Sequence, residues 1–165
     1  MTPFEIIHEF AADPASFWKL LFSEDYNREL YRRIHVKDRR MLVWNETDET
    51  LHFVCQYSPE RDLPSFAKKI VGGNLGYTET STLDKRSNIM DVRIEPSLMP
   101  ERFKMSGVFK VEPLGPSRVR RTFSGSLHID FPMFGRKAEE IILANIMEGY
   151  VESAKLMHEW LGTPT

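Results

Sequence analysis

The chain has 165 residues, of which 41% are apolar and 28% charged, with a net charge of −2. This length suits one domain over residues 1–165, and this composition suits a packed core in a soluble protein. The charge excludes nucleic-acid binding by bulk electrostatics, and no run reaches the ~20 apolar residues that a membrane span requires.

MTPFEIIHEF lacks a positive segment followed by an apolar one, so no secretory signal is expected. Cys55 has no cysteine to pair with, which suits a reducing compartment, most simply the cytoplasm. Phe4, Ile6, His8 and Phe10 alternate with Glu5 and Glu9, which predicts a strand. In ADPASFWKLL, Asp13 is placed to cap a helix with Pro14 at its first position. Ser23 then opens a second short helix, SEDYNRELYRR. The run RRIHVKDRR reads as a solvated helix end and strand start, since Glu24, Asp25, Glu29 and Asp38 dilute its charge; attraction for anionic headgroups is the other reading.

Residues 36–130 read mostly as strands. Two runs flank a polar turn at Glu46–Thr50, and YTETSTLD, NIMDVRIEP, RFKMSGVFKVEP and SRVRRTFSGSLHID follow. Pro96 and Pro113 are expected to end their strands, because proline donates nothing to a ladder. One segment interrupts the series, PERDLPSFAKKIVGGNLG. Leu63, Phe66 and Ile70 share a side of a short helix there, beside Lys68 and Lys69 and before Gly72-Gly73. It reads as a lid over a cavity mouth, whose lysines offer transient contact with anionic membranes, or as a short helix packed on the sheet edge. FPMFG breaks the strand pattern, and a long helix is expected from about Arg136 to about Leu161.

The order is β, α, α, about six β, α. With ADPASFWKLL after the first strand and FPMFGRKAEEIILANIMEGY leading into the last helix, the chain resembles the START-related helix-grip superfamily, also called SRPBCC, over nearly its whole length. The resemblance implies an α+β helix-grip fold: a curved antiparallel sheet of about seven strands wrapped around a long C-terminal helix, with two short helices after strand 1. It also implies a cavity between sheet and helix that holds an apolar ligand.

On a helical wheel Ala138, Ile142, Ile146, Leu156, Met157 and Trp160 share an arc. Gly149 and Ser153 lie at its centre and Asn145 at its edge. A glycine inside a helix costs about 1 kcal/mol relative to alanine. Two reasons stand: close packing against a neighbour, or space left for a ligand. Alternation turns Tyr57, Tyr77, Glu79, Met90, Met105, Phe109, Arg121 and Phe123 to the same interior. With Asn145, Gly149 and Ser153 they form the expected ligand-binding set. Arg121 is the expected anchor of the ligand's polar end, with Glu79 and Tyr57 next; the other readings make Glu79 and Arg121 structural partners of each other or of backbone groups, or residues of the wet rim.

His8 is the one histidine read as inward, a hydrogen-bonded core residue or a base. His52, His128 and His158 are read as outward. No metal set, nucleophile elbow or phosphate loop is present, and no cofactor or metal is expected. Cys55 reads as a small core residue. With no acid–base pair identifiable, the sequence favours a binding module, a carrier or sensor for a lipid, sterol or polyketide, over an enzyme. The alternatives are a cyclase/aromatase-type or hydrolase-type enzyme using Arg121, Glu79, Tyr57 or His8, and an interaction domain without a cavity. The sequence carries no sign of oligomeric state.

Overall fold

The computed structural model describes residues 1–60, 64–71 and 76–162, with the side chains of Ala67, Ile70 and Val71 outside that description. Strand β1 (Thr2–Phe10) leads into α1 (Pro14–Leu21), where the Asp13 carboxylate accepts from the Ser16 amide at 2.9 Å. Helix α2 (Glu24–Arg33) is capped by Ser23. It carries Glu24 and Asp25 in its first turn and Arg32 and Arg33 in its last, which complements the helix dipole.

Strands β2 (Val36–Glu46), β3 (Thr50–Pro59), β4 (Tyr77–Asp84), β5 (Ile89–Pro96), β6 (Phe103–Gly115) and β7 (Arg118–Ile129) follow, with α3 (Ser65–Val71) between β3 and β4. All seven strands form one antiparallel sheet in the order β1-β7-β6-β5-β4-β3-β2. Helices α1 and α2 carry the chain from one sheet edge to the other, so the first two strands end up as opposite edges.

Gly107 and Gly125 face each other across β6 and β7. A side chain on Gly125 would lie 2.1 Å from the Ser106 carbonyl oxygen, and one on Gly107 2.7 Å from that of Ser124. The backbones meet there too closely for any other residue, as at a bend in a curved sheet.

Helix α4 (Gly135–Leu161) lies against β1, β7 and α2. Its first turns are tied down by Glu139, which is 3% exposed and accepts from the Ile129 amide at 2.7 Å and from the Thr2 hydroxyl. Near its end, Arg33 of α2 pairs with Glu159 at 2.7 Å. Phe10, Phe17, Val119, Leu156 and Met157 are fully buried between these layers. Burial of a side chain of this kind is worth about 1.5–3 kcal/mol.

Three expectations are corrected. Strand β6 continues through Pro113 to a bulge before Gly115. Its pairing with β5 stops at Lys110, so beyond that point one side of β6 faces no ladder and a missing donor costs little. Trp160 leaves the apolar arc: it is 45% exposed and meets Tyr26 edge-on at 6.0 Å. His158 turns inward, its ring 5.0 Å from that of Phe10. The last turns of α4 pack between β1 and α2, so more than one of their faces is covered.

Candidate functional site

Sheet, α2 and α4 enclose a cavity of about 350 Å³. Tyr57, Tyr77, Glu79, Met90, Met105, Phe109, Arg121, Phe123, Asn145, Gly149 and Ser153 all line it. A Cβ at Gly149 would meet no atom within 4 Å, so the gap in the helix stripe opens onto space. Ser153 has a different reason to be small. Its hydroxyl accepts from Arg121 Nη1 at 2.6 Å, and its carbonyl accepts from the Tyr26 hydroxyl at 3.0 Å.

Arg121 is 1% exposed. Its Nη2 donates to His8 Nδ1 at 3.0 Å and to the Tyr150 carbonyl at 3.2 Å, and its Nε–H has no partner. The guanidinium carbon lies 4.9 Å from the Phe10 ring centre and 5.0 Å from that of Tyr150. Burial lowers the Arg121 pKa, with Tyr150 and Tyr26 opposing. His8 is held down to about 4, first by burial and then by the charges of Arg121 and His158. A guanidinium can only donate, so His8 Nδ1 accepts and the neutral ring carries its proton on Nε2.

A second polar group lies on β2, β3, β4 and α2. The Tyr31 hydroxyl donates to that of Tyr57 at 3.2 Å, and the Tyr57 and Tyr77 rings stack at 5.0 Å. The Arg39 guanidinium lies 5.3 Å from the Tyr31 ring centre. Glu79 accepts from the Ser81 hydroxyl at 2.8 Å. Burial raises its pKa, against that hydrogen bond and the Arg39 charge. Burial likewise pushes Tyr57 and Tyr77 well above the usual phenol value. Glu79 and Arg121 are not partners of each other: Ser81 holds the one, and Ser153, His8 and Tyr150 hold the other.

Several lining residues escaped the sequence reading. Asn27, Leu30 and Tyr31 of α2 and Ile34 at its C-cap face the cavity, and their i, i+3, i+4, i+7 spacing was a legible signal. Arg39, Met41 and Trp44 of β2 also line it. Register shifts at Val36/Asp38 and Met41/Val43 break the alternation, so Arg39 leaves the solvated run assigned to it. Tyr150, beside Gly149, stacks on Phe123 at 5.2 Å.

Of the expected lid, Phe66 stacks on Phe134 at 5.8 Å, with Lys137 Nζ 5.2 Å from its ring centre. Lys68 and Lys69 are exposed. Leu63 and the Ile70 side chain lie outside the described residues. Cys55 is buried as a core residue. Among the described residues no three His, Cys, Asp or Glu side chains converge as a metal set, and no helix is long and apolar enough to cross a membrane.

A model of the family described as a protein of unknown function (DUF2505) matches residues 5–161, and the chain belongs to that family. Comparison with curated proteins gave no match. Solved structures share the architecture. The Zhui aromatase/cyclase from Streptomyces sp. R1128 is 15% identical with a TM-score of 0.62, covering 96% of this chain and 92% of that one. A START superfamily protein from Mycobacterium smegmatis is 14% identical with a TM-score of 0.59, covering 98% and 97%. Norcoclaurine synthase from Thalictrum flavum is 12% identical with a TM-score of 0.67, covering 99% and 88%. At such identities the likeness is one of fold, and the fold is the helix grip.

Proposed function

We propose that this DUF2505 protein binds a hydrophobic small molecule in the cavity between sheet and α4, as a carrier or sensor. The observation that carries the reading is the empty space over Gly149 in a cavity of about 350 Å³. Ligand sites run from about 300 to 1,000 Å³ and pair apolar walls with a few polar groups. Here Phe53, Phe109, Phe123, Met90 and Met105 supply the walls, and the groups around Arg121 and Glu79 supply the polarity. An interaction domain without a cavity would have no use for this arrangement. The test is native mass spectrometry of freshly purified protein, with extraction of any compound that co-purifies. A bound apolar compound is the expected result. Protein that is empty and takes up no apolar probe overturns the reading.

A second reading rests on Glu79, a half-buried carboxyl with a raised pKa beside the Tyr57 and Tyr77 phenols. Such a group suits proton transfer. Two proteins of the same fold are named as an aromatase/cyclase and a synthase, the latter solved with dopamine and hydroxybenzaldehyde. Turnover of an aromatic or polycarbonyl compound, lost in Glu79→Gln with binding retained, would favour this reading over a carrier.

A further inference from the structure

Arg121 stands apart from the other arginines whose partners are described. Arg33 pairs with Glu29 and Glu159, and Arg118 and Arg120 both pair with Glu9, all near the surface. Arg121 is buried, and every group it meets is neutral. Its partners are the Ser153 hydroxyl, the Tyr150 carbonyl, the unprotonated Nδ1 of His8 and the faces of two aromatic rings. Its Nε–H is buried and unpartnered. Taking an ion out of water costs several kcal/mol unless an opposite charge meets it. Neutral acceptors and ring faces satisfy some of its donors and supply no counter-charge. The other arginines on the cavity wall are better placed. Arg39 also has a buried, unpartnered Nε–H, but the Glu79 carboxylate and the Tyr57 hydroxyl lie on its side of the cavity, and Arg102 lies at the exposed rim over Phe131.

We infer that the cavity's ligand is an apolar acid whose carboxylate, or an equivalent oxyanion, sits against the Arg121 guanidinium as its missing counter-ion. This rests on the cavity being a ligand site and adds the charge of what it takes. The apolar body of the ligand lies along the wall formed by Met105, Phe109 and Phe123 and over Gly149. The gap at Gly149 and the anchor at Arg121 are then parts of one site, because Ser153 and Tyr150, which hold Arg121, flank that gap on the same helix.

The experiment compares acids with alcohols of matched shape at pH 7. Dodecanoic acid is set against dodecanol, and pyrenebutyric acid against pyrenebutanol, by calorimetry and fluorescence. The native protein should bind each acid at least about tenfold more tightly than its alcohol. In Arg121→Met that preference should vanish, with the acid falling to the level of the alcohol. Because Arg121→Met removes a buried staple and can unfold the chain, a second measurement uses native protein only. The Arg121 side-chain Nε–H resonance, assigned through its own backbone, should shift when the acid is added and stay in place with the alcohol. Equal affinities for acid and alcohol overturn the anionic ligand and leave the cavity reading standing. An acid preference with no change at the Arg121 resonance overturns Arg121 as the anchor. Protein that binds none of the four compounds removes the cavity reading and this one together.

Discussion

Gly149 and Ser153 are one helical turn apart, yet substitution should affect them in opposite ways. Gly149 has no neighbour within 4 Å of a built side chain, so Gly149→Ala gains helix propensity at no steric cost and should stabilise the fold by about 1 kcal/mol. Ser153→Leu removes the acceptor that holds Arg121 Nη1 and leaves a buried guanidinium N–H without a partner, so it should cost about 3 kcal/mol. Urea denaturation of both variants checks the pair; a stable Ser153→Leu would show that Arg121 does not depend on the hydroxyl. His8 supplies a pH signature. Its pKa is about 4 in the fold against an ordinary 6.5, so below pH 6.5 the unfolded chain binds a proton that the fold refuses. The stability His8 contributes is complete above pH 6.5 and is lost as the pH falls toward 4. Glu79 acts in the opposite sense, since a raised carboxyl pKa favours the fold at low pH. His8→Asn keeps an acceptor for Arg121 and removes the titration, so its denaturation midpoint should fall less steeply between pH 6.5 and 4 than that of the native protein.

At the scale of elements, we propose α3 as the gate through which a ligand would enter. Phe66 reaches Phe134 and Lys137 near the N-terminus of α4, and Leu98, Met99 and Arg102 line the cavity. If α3 is the gate, its amides should exchange with solvent faster than those of β3 and β4 in the empty protein, and slow when an apolar probe is bound. Equal, slow exchange in both states would make α3 a fixed wall. The elements themselves were largely legible. Asp13-Pro14 and Ser23 mark helix starts by capping chemistry, and period-two alternation turned Tyr57, Tyr77, Glu79 and Arg121 inward because the β1–β7, β3–β4 and β4–β5 pairings run in regular register. The inward turn of Arg39 was hidden because β2 carries two register shifts, and no residue pattern announces a bulge. The role of Ser153 was hidden for another reason: an acceptor for Arg121 exists only once β7 and α4 are brought together, 32 residues apart in sequence.

For the whole molecule, the helix grip sets a packed layer apart from the cavity. The packed layer holds Phe10, Phe17, Val119, Leu156 and Met157, while the cavity opens along α4 between Ala138 and Ser153. A bulky group at Gly149 should therefore occupy the cavity and leave the packed layer intact. Gly149→Leu is expected to fold, with a melting temperature within a few degrees of the native protein. Ligand linkage then gives a global readout. A compound that binds only the folded state stabilises it by about 2.7 kcal/mol at 100 times its Kd. For a chain of this size each kcal/mol moves the melting temperature by about 2–4 °C. An apolar acid at that concentration should raise the melting temperature of the native protein by roughly 5–10 °C and leave that of Gly149→Leu unchanged. If both shift equally, the compound binds elsewhere, and the space over Gly149 is not its site.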